Sequence, residues 1–271
     1  MEQKFSVLLN IYAKDHPAWI KQALDSVLTN TVRPPEIVIM VDGPTSKEIQ
    51  TILDEASKNK TVRIFSHNIA YGRAEALSFA IPKCSYDLIA LHSADSISLP
   101  DRFEKQLAYF AAHLEMAVLG GQIQEIDGES LQPVAVRTVP QTDREIKTYL
   151  RMRSPFNHVT VMYKKAAVLA AGNYQPFHLM EDYYLWARMA AKGYQMGNLP
   201  DIVLNARVDS AMYGQCGGWK YFKSNYAMSK KLRELHLIPR TTHAFNACIR
   251  FCVQVLMPNN VRSYFYRKAL R

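Results

Sequence analysis

Three short stretches of this 271-residue sequence carry residue types that can hold a phosphate and move a proton. Asp42 lies in Val41-Asp42-Gly43-Pro44, directly after an apolar run. Ser93-Ala94-Asp95-Ser96 follows the apolar run Leu88–Leu91. Glu181-Asp182 heads an amphipathic stretch. Carboxylates at a strand end can hold a divalent cation against a phosphate, and a free carboxylate can take the proton of an attacking hydroxyl. In the second stretch, though, one acid stands between two serines. It is either a metal-and-phosphate site with a reduced ligand set or a site that has lost that chemistry. Plainer uses exist too. An Asp after a strand is a common turn residue or helix cap, and acids in a first helical turn interact favourably with the macrodipole.

The elements that would position these residues can be read from periodicity. Strands are predicted over Phe5–Ile11, Glu36–Val41, Val62–Phe65 and Asp87–Leu91. Helices are predicted between them, over Pro17–Leu28, Ser46–Ser57 and Gly72–Ala80, and then along the face Phe103, Leu107, Phe110 and Leu114. Repeated strand–helix units imply an α/β fold, a mainly parallel sheet with helices on both faces. Ligands on such sheets bind beyond the carboxyl ends of the strands, which places Asp42 and Asp95 on the binding edge. Downstream, strands are expected over Val118–Ile126 and Val159–Tyr163. Helices are expected over Glu145–Met152, over Ala166–Ala171, where Gly172 stops the helix, and from Glu181.

Composition, 48% apolar and 21% charged, is that of a soluble globule. No segment is long and apolar enough to span a bilayer, and the opening residues read as a core strand and not a signal peptide, so a cytoplasmic protein is expected. Cys84, Cys216, Cys248 and Cys252 form no C-x-x-C pair and read as small core residues in a reducing compartment. Charge is distributed unevenly. From Trp219 onward there are 11 basic residues and one acid, Glu234, while the preceding 218 residues hold 22 basic and 23 acidic ones. This basic end is predicted to be helical over Trp219–Leu235 and Ala244–Met257, with a second basic amphipath over Val261–Leu270. In Ala244–Met257, Phe245, Cys248, Ile249, Cys252, Val255 and Leu256 share one side, and Asn246, Arg250 and Gln254 the other. A neutral body with a basic end suggests a polyanionic partner, either nucleic acid or an anionic membrane leaflet.

The order of motifs carries a resemblance. NIYAKDHP, IVIMVDGP, HNIAYGRAEALSFA, IALHSADSISLPDRFEKQ, NHVTVMYKKAAVLAAGNY and MEDYYLWARMAAKGY, taken together, resemble the bacterial family-2 glycosyltransferases over roughly residues 4–210. The resemblance implies the GT-A (Rossmann-like) fold with its mixed sheet, and inverting sugar transfer in O-antigen or capsule assembly. It divides the chain into a transferase domain, 1–215, and a basic helical tail, 216–271. The nucleotide-binding half of the domain is about 1–98 and the acceptor half about 99–215. It implies that Tyr12 and Asp42 clamp the nucleotide base, Asp42 accepting from a uracil ring N–H, which favours a UDP-sugar donor. It lays Asn68 and Gly72, with Ala74 and Ala76, along the nucleotide, with one extra residue before the glycine. Asp182 takes the position of the general base beside Glu181, and Asn157 and His158 fall on the acceptor side.

One motif departs from the family. Where members read Arg-x-Asp-x-Asp-Asp, this chain has Leu91-His92-Ser93-Ala94-Asp95-Ser96. Asp95 keeps the metal position, and Ser93 can still bond a ribose hydroxyl without charge. Mn²⁺ or Mg²⁺ bound with a nucleoside diphosphate needs only one or two protein carboxylates, so a weakly held cation is expected. His92 is a possible nitrogen ligand for Mn²⁺, but strand alternation turns it away from Ser93. The Q-x-x-R-W motif of processive members is incomplete, since Gly218 stands for the Arg between Gln215 and Trp219. The expectation is therefore single-sugar transfer to a polyprenyl-diphosphate-linked saccharide, on the cytoplasmic face of the bacterial inner membrane, with the basic tail on anionic lipid. No nucleic-acid reader motif is present, so no nucleic-acid partner is expected. The alternative is a degenerate transferase that binds nucleotide or glycan without turnover.

Overall fold

The apolar runs of the first hundred residues form β1 (Phe5–Tyr12), β2 (Glu36–Asp42), β3 (Val62–His67) and β4 (Leu88–Ser93), side by side in the order β3-β2-β1-β4 and all parallel. The structure, a computed structural model, describes residues 3–208 and 218–257. Alternation along β1 explains its runs of apolar residues. Leu8 joins a core with Ala74 and Leu77 of α3 (Arg73–Ala80), while Val7, Leu9 and Ile11 join a second with α1 (Pro17–Leu28) and α2 (Lys47–Ser57). A strand covered on both faces has no polar side to show. The register pairs Tyr12 with Asp42 and Asn10 with Ser93, so these residues share one edge.

Beyond β4 come β5 (Ser96–Ser98), α4 (Arg102–Ala112), β6 (Met116–Asp127), β7 (Pro133–Arg137) and α5 (Asp143–Tyr149). They are followed by β8 (Met162–Lys164), α6 (Lys165–Ala170), α7 (Glu181–Ala191), β9 (Gln195–Val208), α8 (Gly218–Glu234) and α9 (Arg240–Phe251), with a π-helical turn over Cys252–Leu256. β8 pairs antiparallel with both β4 and β6, and β9 runs parallel to β6, giving one nine-stranded sheet. The expected strand Val159–Tyr163 is shorter than its apolar pattern. Its first half is a 3₁₀ turn, His158–Thr160, because the Thr160 hydroxyl bonds the Asn157 carbonyl at 2.7 Å and takes the Gly121 N–H at 3.0 Å.

The C-terminal helices correct two expectations. Met228 and Leu232 of α8, with Ile238, belong to the larger core cluster, so this part of the basic end packs into the body. α9 sits the other way round from its amphipathic pattern. Asn246 and Gln254 are 3% and 2% exposed, while Phe245 and Leu256 are 57% and 63% exposed. Asn246 donates to the Arg151 carbonyl at 2.9 Å and Arg250 to that of Met152, so the polar side of α9 satisfies backbone left open just past the end of α5. Cys248 and Cys252 are exposed as a result, contrary to the core reading, and among the described cysteines only Cys84 is buried as expected. Cys216, Gln215 and the amphipath Val261–Leu270 lie outside the described residues. Among the described residues, no helix is long and apolar enough to cross a membrane.

The seam between β6 and β9 is tight. A Cβ on Gly120 would lie 2.1 Å from Asn198 Oδ1 and 2.9 Å from the Phe156 ring. Asn198 cannot yield easily, since its amide donates to the Pro140 and Pro155 carbonyls at 2.6 and 3.1 Å. Gly120→Ala is therefore expected to lower stability by about 1–3 kcal/mol, read as a lower urea midpoint; an unchanged midpoint would show that the seam relaxes freely.

Candidate active site

The parallel strands deliver Tyr12, Asp42, Ser93 and Asp95 to one edge, as the sequence suggested. Their individual environments differ from one another. Asp42 is 1% exposed. Its carboxylate accepts from the backbone N–H of Gly72 at 2.7 Å and of Tyr71 at 3.0 Å, and faces His67 Nδ1 at 3.1 Å. Gly43, at φ +92°, lets the same loop cross closely, since a Cβ there would meet the Ala70 nitrogen at 2.9 Å. Asp42 thus clasps the loop 67–72 over the end of β2. Gly72 is fixed by that clasp, and Asn68 is exposed on the loop's outer side.

Asp95 answers the question posed by its serines. Ser93 Oγ donates to Asp95 Oδ1 at 2.5 Å, and Ser96 Oγ lies 3.3 Å from the same oxygen. Both hydroxyls hold one carboxylate oxygen, which fixes the group and leaves Oδ2 free of them. Asp15, from the turn after β1, is electrostatically close to Asp95, and its own Oδ2 accepts the Tyr12 N–H at 2.8 Å. Burial pushes the Asp15 carboxyl above its ordinary value, and Asp95 adds to the rise. Among the described residues no group of three or more His, Cys, Asp or Glu side chains could hold a metal unaided. The arrangement suits a cation that brings most of its own ligands. His92 contributes nothing to it. The ring is 4% exposed, lies 3.3 Å from the buried Arg102 guanidinium, and burial with that charge pushes its pKa down to about 3.

On the other side of the cleft, α7 presents Glu181 and Asp182 in its first turn. The helix is anchored at its far end. Arg188 donates to the carbonyls of Ala171 and Asn173, both at 2.6 Å, and Trp186 is fully buried against Phe156. Asp182 Oδ2 accepts from Ser154 Oγ at 3.3 Å. His158 lies near Asp182, its Nε2 bonded to the Tyr174 hydroxyl at 2.7 Å. Burial pushes its pKa down to about 4, against the pull of Asp182, so its ring is neutral at physiological pH. Asn157 stands behind the cleft. It is 2% exposed, and its amide donates to the Gly121 and Arg137 carbonyls at 3.0 and 3.3 Å, so it fixes the turn that carries His158.

Arg73, at the start of α3, joins the two sides. Its guanidinium lies 3.5 Å from Glu181 and also faces Tyr12. Burial opposes its charge, but Glu181 and Tyr12 outweigh that and hold it protonated. With Asn10, Tyr12, Ser93 and His158 it lines a cavity of about 50 Å³. Sequence reasoning passed over Arg73, Asp15 and Ser154. Arg73 follows directly on Gly72 in a quoted motif and was open to notice; Ser154 had no signal.

Residues 6–172 match the family described as Glycosyl transferase family 2. The chain is 32% identical over 97% of its length to the amylovoran biosynthesis glycosyltransferase AmsE of Erwinia amylovora, covering 98% of that protein. It is 30% identical over 99% of its length to the UDP-Gal:alpha-D-GlcNAc-diphosphoundecaprenol beta-1,3-galactosyltransferase of Escherichia coli, covering 97% of it. Among solved structures, S. aureus TarS in complex with UDP-GlcNAc superposes with a TM-score of 0.69 at 13% identity, over 99% of this chain and 76% of that one. The likeness confirms the GT-A fold.

The environment of His158 makes a direct prediction. Its ring resonances should titrate in NMR with a midpoint near the value of about 4 and stay flat from pH 6 upward. Because the folded pKa lies below the ordinary 6.5, the unfolded chain binds the extra proton first. This residue's contribution to stability is therefore intact above that value and lost as pH falls toward 4. A midpoint near 6.5 would place His158 in solvent.

Proposed function

The chain belongs to glycosyl transferase family 2 and is a glycosyltransferase, and we propose that it moves one sugar, with inversion, from a UDP-sugar to a polyprenyl-diphosphate-linked saccharide in bacterial surface-polysaccharide assembly. The observation that carries this reading is Arg73, which bridges the nucleotide edge at Tyr12 and the candidate base pair at Glu181. The E. coli relative's printed activity, UDP-galactose onto a diphosphoundecaprenol-linked sugar, supports the choice of donor and acceptor class.

In this reading Asp182 accepts the proton of the acceptor hydroxyl, and Ser154 holds its carboxylate in place. The hydroxyl oxygen attacks the sugar C1 from the face opposite the diphosphate. The C1–oxygen bond to the diphosphate breaks, and UDP leaves with that electron pair. Neutral His158 steers the acceptor without competing for the proton. Arg73 places a permanent positive charge beside the departing diphosphate. Asp95 is the residue that would hold Mn²⁺ or Mg²⁺, and such a cation would supply further neutralisation of the diphosphate. Tyr12 and the loop clasped by Asp42 form the base-side wall, so Asp42 acts through Tyr71 and Gly72 as well as on any base.

The inverted α9 supplies the membrane contact. Its outward Phe245, Cys248, Cys252 and Leu256 form an apolar strip next to an α8 that carries Lys220, Lys223 and Lys230. An apolar face flanked by lysines lies in the interface of an anionic leaflet, each charge adding about 1 kcal/mol. The cytoplasmic face of the inner membrane is the side proposed for this contact, and the diphosphoundecaprenol acceptor in the printed activity of the E. coli relative supports a membrane-associated reaction.

Asp182→Asn is expected to lower the transfer rate by about 10²–10⁴ while UDP binding in calorimetry stays unchanged; full activity would remove the base assignment. Phe245→Ser with Leu256→Ser should reduce co-sedimentation with phosphatidylglycerol-containing vesicles, and unaltered sedimentation would move the contact elsewhere.

A further inference from the structure

A groove of about 1700 Å³ runs between α5 and the segment formed by α9 and the π turn. Its apolar lining comes from Val139, Tyr149 and Met152 on one side and Ile249, Val253 and Met257 on the other. Arg144, Arg153 and Arg250 also line it. None of these three forms an ion pair among the described residues. Arg153 donates to the Tyr149 hydroxyl at 2.9 Å and lies over that ring, and Arg250 donates to the Met152 carbonyl. The groove's acid, Glu145, is already committed. Its carboxylate closes the capping box of α5 on Thr142 and also takes the Gln141 N–H. The groove is thus apolar within and positively charged.

Its position relative to the candidate base is equally informative. Arg153 is followed by Ser154, whose hydroxyl bonds Asp182. The charges of Arg250 and Arg153 both act on Tyr183, the residue after Asp182, and Tyr183 donates to the Leu150 carbonyl at 2.5 Å. Consecutive Cα atoms are about 3.8 Å apart, so the arginine end of the groove and the base are neighbours along the chain as well as in space.

We propose that this groove holds the diphosphate and the first isoprene units of the lipid-linked acceptor, with Arg153 and Arg250 on the diphosphate. The proposal rests on the acceptor class inferred above. Guanidinium groups suit a diphosphate because their donors pair with its oxygens two at a time, and an apolar trough suits the hydrocarbon that follows. A sugar on that diphosphate then starts beside Ser154 and Asp182. The flank of α9 forms one wall of the groove, so with the outward face of α9 at the bilayer, as proposed above, the prenyl chain passes from leaflet to site along one helix.

The test is calorimetric titration of the full chain with farnesyl diphosphate, with and without saturating UDP. Farnesyl diphosphate is expected to bind equally in both cases, and farnesol and inorganic diphosphate to bind more weakly. Arg153→Gln is expected to weaken farnesyl diphosphate binding about tenfold with UDP binding unchanged. Arg250→Gln is expected to weaken it comparably; should that variant misfold through loss of its contact to the Met152 carbonyl, Arg144→Gln in the same groove serves in its place, with a milder loss expected. Displacement by UDP, wild-type binding by the arginine variants, or equal binding of farnesol would overturn the proposal. The groove and the acceptor reading fail separately. Farnesyl diphosphate binding as described, with no transfer to any lipid-linked saccharide, sinks the acceptor reading alone. Transfer with unaltered acceptor KM in Arg153→Gln sinks the groove alone.

Discussion

Both sides of the active site depend on β4 being held in place. It is the strand at which the all-parallel half of the sheet gives way to the mixed half, pairing parallel with β1 on one edge and antiparallel with β8 on the other. Its end is pinned by Arg102, a fully buried guanidinium that donates to the Leu91 carbonyl at 2.7 Å and to Gln106 at 3.2 Å, beside the His92 ring. Burial pushes the Arg102 pKa down to about 9, because the site strips water from the charge. A shift of the strand end would take the Leu91 carbonyl from that buried cation and leave it only Gln106 as acceptor, a costly loss in the interior. The turn Ser93–Ser96 is therefore a fixed point, and Asp95 inherits its precision from a residue that touches no ligand.

From that fixed point the chemistry is arranged with few charges. The serines replace two acids, and both point their hydroxyls at one oxygen of Asp95. Extra carboxylates in this turn would have repelled one another and Asp15 in the absence of a cation. One oriented carboxylate avoids that cost and gives up affinity for a cation on its own. In the proposed mechanism Arg73 makes up part of the difference with its positive charge. The same economy appears at Asp42, whose carboxylate organises a loop, and at His158, which burial keeps neutral beside Asp182.

The first half of the fold was legible because β1, β2 and β4 are apolar on both faces and α1, α2 and α4 carry strong 3.6-residue periodicity. The second half was less so. β9 was not anticipated, since Gly197 and Pro200 break its alternation and its pairing with β6 shifts register. β7 is largely exposed and offers no apolar signal. Asp95 was singled out by its place past a strand end, and Glu181 and Asp182 by the family resemblance, since acids at a helix start are common on their own. Arg73 and Ser154 were not, because their roles arise only when α3, α7 and the segment after α5 converge. The orientation of α9 could not be read from its own pattern either. That pattern gives two faces, and the open carbonyls of Arg151 and Met152 decide which one turns inward.

The central claim is that one oriented carboxylate, aided by the phosphates of the donor, suffices for transfer. Acceptor-dependent release of UDP from a UDP-sugar, followed while Mn²⁺ is titrated at several donor concentrations, tests it most directly. Release should rise with Mn²⁺, and the half-saturating Mn²⁺ should fall as the donor concentration rises, because the donor supplies most of the cation's ligands. Release that is the same in EDTA as in Mn²⁺ would contradict the account.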